Sequence, residues 1–163
     1  MAREIKSDDF RAAMSRFATG VCVVTSRDAT GIPVGMTINS FNSVSLDPPL
    51  ILWTVGRQAP EYKAFCEASE YVIHILTDTQ TALSNHFATP STNKFEGQDF
   101  DLTAVPRMHN PWLLLHCKAQ HNFVAADHNI LVGRVTEIEN NSQNDSALLY
   151  YASGYHRVGK PLT

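Results

Sequence analysis

Two stretches, "WLLLHCKAQHNF" (Trp112–Phe123) and "ILVGRVTEIE" (Ile130–Glu139), are linked by little more than "AADHN". In the first, Leu113, Leu115, Cys117 and Ala119 share one parity. Leu114, His116, Lys118, Gln120 and Asn122 share the other. A period of two marks a strand with one buried face and a largely polar outer face. Strands joined by so short a link pair antiparallel, because a parallel crossover needs a dozen residues or more. The pair therefore reads as a long hairpin. Upstream, "VCVVTS" (Val21–Ser26) is joined by "RDATGIP" to a second strand running toward Thr37, with Asp28 and Gly31 placed for a turn. Short turns of this kind exclude a regularly wound α/β sheet.

Two further apolar runs, "PLILWTV" (Pro49–Val55) and "YVIHIL" (Tyr71–Leu76), read as strands, which brings the count to about six. Three helices are expected between them. The first is capped by Ser7 or Asp8, repeats Phe10, Met14 and Phe17 at i, i+4 and i+7, and ends at "ATG" (Ala18–Gly20). The second spans Ala59–Glu70, with Pro60 in its first turn. The third starts at an Asp78 or Thr79 cap and turns Leu83 and Phe87 inward. Thr89–Pro111 has little periodicity, and "NNSQND" (Asn140–Asp145) reads as a polar loop. "ALLYYASGYHRVG" (Ala147–Gly159) finishes the chain. Closure into an antiparallel barrel, or near closure, suits such a set best because it removes strand edges. No repeat or linker divides residues 1–163, so a single domain is expected.

Charge and composition exclude several functions. The net charge is −3 without a Lys/Arg cluster, so nothing marks a nucleic-acid surface. No apolar run is long enough to span a membrane. The N-terminus lacks the apolar core of a secretion signal, and a cytoplasmic protein is expected. Cys22, Cys66 and Cys117 are widely spaced in apolar contexts and read as small buried hydrophobes. The seven histidines form no metal-ligand spacing, so no metal is expected.

The chemistry is concentrated in "VGMTINSFNSVSLDPPLILWTV" (Val34–Val55). Thr37, Asn39, Ser40, Asn42, Ser43 and Ser45 sit there between two β-forming segments. Hydroxyls and amides both donate and accept hydrogen bonds. Such groups suit a planar ligand with a polar edge and an apolar body. From the residues alone, a loop that satisfies its own backbone is the simpler alternative.

Taken with five other segments, the sequence resembles the flavin reductase family, the split-barrel partners of two-component monooxygenases. Those segments are "FATGVCVVTS" (Phe17–Ser26), "HILTDTQTALSNHFA" (His74–Ala88), "NKFEG" (Asn93–Gly97), "DHNILVGRV" (Asp127–Val135) and "LLYYASGYHRVG" (Leu148–Gly159). The resemblance implies a mainly β fold, an antiparallel Greek-key split β-barrel of the FMN-binding type with short peripheral helices. It implies hydride transfer from NADH or NADPH to FMN or FAD, a homodimer, and a flavin-dependent monooxygenase as recipient. Thr37, Asn39 and Ser40 would hold the isoalloxazine edge, and Val44 and Ser45 would line the same cradle. Trp53 and Arg57 would approach the ribityl chain and phosphate. Lys94 would meet a phosphate and Phe95 would pack, while His128 would stand on the nicotinamide side as the catalytic residue.

Each position keeps a structural alternative. Thr37 and Asn39 suit the end of a strand, Trp53 suits a core, Lys94 and Arg57 suit solvent, and His128 suits a turn. The chain departs from the family pattern at Ala126, where Gly is frequent, and at His74, where Asn is frequent. Trp53 is larger than the residues common at its position. A tightly bound FMN electron carrier without efficient NAD(P)H turnover is the alternative function, and a haem-binding barrel a more distant one.

Overall fold

The computed structural model describes residues 4–141 and 146–161. Residues 142–145 of the expected polar loop, and the first three residues of the expected leaderless N-terminus, lie outside the described residues. The elements, in chain order, are α1 (Ser7–Met14), β1 (Thr19–Gly20), β2 (Cys22–Arg27), β3 (Pro33–Ile38), β4 (Asn42–Leu46) and β5 (Pro49–Gly56). Then come α2 (Tyr62–Glu67), β6 (Glu70–Ile75), α3 (Thr81–Ala88), β7 (Phe100–Asp101) and β8 (Arg107–Met108). The chain ends with β9 (Leu113–Ala125), β10 (His128–Asn140), β11 (Leu148–Tyr151) and β12 (Gly154–Arg157).

Seven strands form one sheet in the order β3-β2-β6-β9-β10-β5-β4. Every neighbouring pair is antiparallel, and short turns join three of them, β2–β3, β4–β5 and β9–β10. The ladder stays open, with β3 and β4 as its edges. A side chain ties the opening instead: Ser40, just after β3, accepts from the Thr54 N–H at 3.0 Å and donates to the Thr54 carbonyl at 3.4 Å. Strand β11 joins β1 and β12 in a second, three-stranded sheet, and β7 pairs with β8.

The curled sheet has two buried faces along its central strands, which explains the unbroken apolar runs there. In β2, Cys22 and Val24 enter an inner core with Trp53, Phe65, Tyr71 and Ile73. Val23, of opposite parity, packs outward with Leu76, Phe87, Met108 and Leu148 beneath α3 and β11. Cys22 and Cys117 are buried, Cys66 is half-buried, and all three thiols are free. Burial pushes the Cys22 and Cys117 thiols up to about 12.

Several local expectations change. Helix α1 buries none of its residues, and Lys6 stands at its N-cap without a side-chain cap. The helix ends at Met14, before Phe17, and Phe10, Met14 and Phe17 are 58%, 50% and 66% exposed, so they are largely uncovered in this chain. Helix α2 is shorter than expected, and α3 begins after Gln80 rather than at Asp78 or Thr79. The outer face of β9 begins apolar, since Leu114 packs against Val72 and Val105. Val105 belongs to the 89–111 segment, which carries β7 and β8 and covers that face.

His74 is the central polar residue of this covering. It is fully buried, with Nδ1 3.2 Å from the Val23 carbonyl and Nε2 accepting from the Met108 N–H at 3.1 Å. A carbonyl accepts only, so the ring proton sits on Nδ1. Burial is the main cause that drops the imidazole to about 4. The family departure at this position is thus a neutral strut between β2 and β8.

Candidate functional site

Thr37 and Asn39 bracket the end of the edge strand β3, where the chain leaves the sheet. Beside them is a cavity of about 280 Å³. Its apolar wall includes Val21, Ile38 and Ala88, and Tyr150 and Tyr155 add aromatic surface. Thr37 and Ala88 also line a neighbouring hollow of about 170 Å³ with Met36, Ala59 and Pro60. The two hollows therefore adjoin at Thr37. Asn39 is exposed, and its amide has no hydrogen-bond partner among the described residues. The Thr37 hydroxyl donates to the Ser84 carbonyl at 2.6 Å. Fully buried Ser84 also shares a 2.7 Å hydrogen bond between its hydroxyl and that of Tyr155.

The loop after β5 connects this cavity to His128. Ala59, which lines the second hollow, donates its N–H to the Gly56 carbonyl at 3.0 Å. Gly56 pairs with His128 in the sheet, and the imidazole lies over it, Nε2 being 3.3 Å from where a Cβ would stand. That close approach explains glycine here. His128 is half-exposed, and its Nδ1 is 2.9 Å from the Asp127 carboxylate. The carboxylate accepts, so Nδ1 carries the proton and Nε2 is directed elsewhere. The His128 hydrogen bond holds the Asp127 carboxyl below its ordinary range, and the Arg57 charge adds a smaller pull. The Arg57 side chain is exposed and makes no hydrogen bond or ion pair with the described residues, although its N–H bonds the Asp127 carbonyl at 2.9 Å. A free guanidinium and a free imidazole nitrogen thus flank the loop that ends at the cavity.

Other expected site residues stand apart from this pair. Trp53 is wholly buried, edge-on to Phe65 at 5.0 Å and Tyr71 at 5.5 Å between ring centroids. Its side chain belongs to the core and offers no surface to a ribityl chain. Lys94 is corrected more sharply. Its side chain is 6% exposed and donates to Glu61 at 2.5 Å, the Gly35 carbonyl at 3.0 Å and the Phe87 carbonyl at 3.1 Å. An ammonium has three protons, so none remains for a phosphate. Phe95 packs edge-on against Phe87 and Phe100. Val44 is exposed and Ser45 half-buried on edge strand β4, where the register with β5 shifts between Ser43 and Ser45. Ser40 has both its donor and one acceptor engaged by Thr54.

Ser84, Tyr150 and Tyr155 were not singled out from the sequence. The tyrosines lie in "LLYYASGYHRVG", and only the fold brings that hairpin to Thr37. A larger cavity, about 500 Å³, lies between the β2–β3 turn and α2. Glu61 and Glu67 on its walls are paired with Lys94 and Lys63, and no aromatic ring lines it, so the Thr37 cavity with its two tyrosines fits a planar ligand better. Among the described residues no three or more His, Cys, Asp or Glu side chains converge as a metal site. No helix of the described residues is long and apolar enough to cross a membrane.

Comparison with known proteins identifies the family. The chain is 41% identical over 147 residues to a probable flavin reductase of Rhizobium meliloti, covering 89% of this chain and 47% of that protein. It thus spans about half the length of that relative. It is 40% identical over 131 residues to the FMN reductase (NADH) SmoA of Agrobacterium fabrum, covering 79% of this chain and 74% of that one. Among solved structures, the Streptomyces globisporus NADH:FAD oxidoreductase SgcE6, in complex with NAD and FAD fragments, superposes with a TM-score of 0.86 at 29% identity. That match covers 97% of this chain and 98% of SgcE6. The flavin reductase like domain model matches residues 14–159, and the chain belongs to that family.

Proposed function

We propose that the protein is a flavin reductase that takes hydride from NADH or NADPH and delivers it to FMN, with FAD as a second acceptor. One observation carries this reading: a cavity with apolar and aromatic walls has two small polar residues, Thr37 and Asn39, on one side. Asn39 keeps an amide free to donate and accept. The donor set fits the polar edge of an isoalloxazine ring, and the tyrosines fit its apolar body. The relatives named above as an FMN reductase (NADH) and an NADH:FAD oxidoreductase support the choice of flavin and nicotinamide.

When bound, the flavin supplies the hydride-accepting centre. The protein's part is to bind and orient. Thr37 and Asn39 meet the ring edge, and Tyr150 and Tyr155 exclude water from its body. Arg57 attracts the phosphate. His128, its Nδ1 proton held by Asp127 and its ring lying over Gly56, would position the nicotinamide through its unengaged Nε2. A direct hydride transfer between two rings requires no general acid or base, in keeping with a site that contains no carboxylate dyad or nucleophile.

The proposal extends to assembly and place. The largely uncovered Phe10 and Met14 of α1, with Phe17 just beyond it, support a homodimer formed through this N-terminal region. Relatives named as reductase components of a stachydrine demethylase and a trigonelline monooxygenase support a flavin-dependent oxygenase as the recipient. The chain acts as one domain over residues 1–163, in the cytoplasm.

Titration of the purified protein with FMN and FAD, followed by the visible spectrum, tests the binding. NADH and NADPH oxidation under the same flavins tests the turnover. Flavin binding with nicotinamide-dependent reduction is expected. Binding without turnover would favour the electron carrier, and binding of neither flavin would end the proposal.

A further inference from the structure

Ser84 touches the candidate cavity only through other residues, yet it governs two of its walls. It lies in α3, fully buried. Its carbonyl receives the Thr37 hydroxyl proton at 2.6 Å. Its own hydroxyl meets the Tyr155 hydroxyl at 2.7 Å. Thr37 and Tyr155 line the same cavity. A carbonyl has no proton to give, so the direction of the first bond is not open to choice. The single proton of Thr37 is committed to Ser84, and only the oxygen lone pairs remain for a ligand.

We propose that Ser84 is a positioning residue that sets the hydrogen-bond polarity of this cavity. Through its carbonyl it makes Thr37 an acceptor that selects an N–H on the ligand, and through its hydroxyl it steadies Tyr155. The inference rests on the flavin reading above. The polar edge of an oxidised flavin carries one N–H, at N3, between two carbonyl oxygens. Thr37, restricted to accepting, matches N3–H and not the flanking oxygens. Asn39, whose amide is free, supplies the donor that one of those oxygens requires. A freely rotating threonine hydroxyl would give no such discrimination.

The test uses FMN and 3-methyl-FMN, in which the N3 proton is replaced by a methyl group. Dissociation constants are read from flavin fluorescence for the wild type and for Thr37→Val, Thr37→Ser and Ser84→Ala. The wild type is expected to bind FMN about ten-fold or more tighter than the methylated analogue, since a buried acceptor left unpaired is heavily disfavoured. Thr37→Val should weaken FMN and bring the two ligands within roughly two-fold of each other. Thr37→Ser restores the hydroxyl and should restore the preference. Ser84→Ala keeps the carbonyl, so it should weaken both ligands alike and preserve their ratio. Equal binding of both ligands by the wild type overturns the inference while leaving the flavin reading intact. So does a preference that persists in Thr37→Val, because the methyl group would then be rejected elsewhere. A wild type that binds neither ligand overturns the flavin reading and this inference together.

Discussion

Lys94 and Glu61 form a buried ion pair, Nζ to Oε1 2.5 Å, in which neither side chain is more than 10% exposed. The pair fastens the 89–111 segment to the residue just before α2, and the two carbonyl contacts of Lys94 extend the tie to β3 and α3. Breaking such a pair from one side leaves an uncompensated charge in a poor solvent. Lys94→Met should therefore destabilise the protein by about 3–5 kcal/mol. The double variant Lys94→Met/Glu61→Leu should recover much of that loss, because it removes both charges together. Urea denaturation of the three proteins measures the effect. If Lys94→Met were as stable as the wild type yet bound FMN poorly, lysine would be a phosphate ligand after all.

This residue also marks the limit of what the sequence makes legible. The two hairpins β2–β3 and β9–β10 follow from period-two patterns and short turns, which are local, whereas the order of the whole sheet rests on long-range pairing. Thr37 and Asn39 stand out within one stretch as small polar residues between β segments, yet those residues alone suit a self-satisfied loop equally, and only the family resemblance assigns them a ligand. Lys94 was not legible, since a lysine in a polar segment looks solvated until the fold closes over it. Leu114 was misassigned to a polar face because its cover, Val105, comes from a segment without periodicity. Ser84, Tyr150 and Tyr155 reach the cavity by long-range packing that no local pattern encodes. Phe10 and Met14 show the converse, a helical pair that is largely unburied within one chain, while Phe17 falls beyond the end of α1.

That pair is directly testable. Replacing Phe10 and Met14 by Glu should leave the fold intact, since α1 buries no residue in this chain. The same change should convert a dimer to a monomer if α1 lies at the interface. Light scattering coupled to gel filtration reads the mass. A wild type that is already monomeric, or a double variant that stays dimeric, would remove α1 from the proposed assembly.

His74 predicts a loss of stability on mild acidification. The imidazole is held neutral in the folded protein, at about 4, against an ordinary value of 6.5. Above pH 6.5 both folded and unfolded states are neutral there, and stability does not vary through this group. As pH falls below 6.5, the unfolded chain takes up a proton that the folded chain refuses. Stability then declines until the folded imidazole itself protonates near pH 4. Between pH 7 and pH 5 the loss should be about 2 kcal/mol. The carboxyls of Asp28, Asp101 and Glu137 are held below their ordinary values and titrate under this window. His74→Asn should be less stable at pH 7 but should lose most of the slope between pH 7 and pH 5. A slope that survives the substitution would assign the effect to another group.

Gly133 and Tyr71 constrain each other inside the curled sheet. A Cβ at Gly133 would overlap the Tyr71 hydroxyl oxygen and stand 3.1 Å from the Cys117 Cβ. That hydroxyl is buried near the equally unsatisfied Trp53 Nε1–H, and among the described residues the two form no hydrogen bond of normal geometry. Gly133→Ala should cost about 1–3 kcal/mol by overpacking. Tyr71→Phe removes an unsatisfied polar atom and should be neutral or mildly stabilising. In the double variant the alanine should cost less than it does alone, and thermal denaturation of all four proteins gives the coupling. Additive effects would mean that the hydroxyl is not what excludes a side chain at residue 133.

His128 and Arg57 lie at the start of the 56–60 loop, which reaches the second hollow at Ala59, and in the roles proposed for them they are expected to separate cleanly in function. His128 sits over Gly56 with Nδ1 held by Asp127, so it is oriented without help from a ligand. His128→Ala should lower kcat/KM for NADH by roughly ten-fold to a hundred-fold through lost positioning. It should change FMN affinity by no more than about two-fold. Arg57 has a free guanidinium, and its proposed partner is the phosphate. Arg57→Ala should therefore weaken FMN about ten-fold, the size of one charge-assisted hydrogen bond, and leave riboflavin unchanged. Stopped-flow reduction and flavin titration measure the two effects in the same preparations. If His128→Ala weakened FMN as much as it slowed reduction, the imidazole would belong to the flavin cradle. If Arg57→Ala weakened FMN and riboflavin equally, the phosphate would lie elsewhere, and with Lys94 already committed to Glu61 the search would turn to backbone donors along the 56–60 loop.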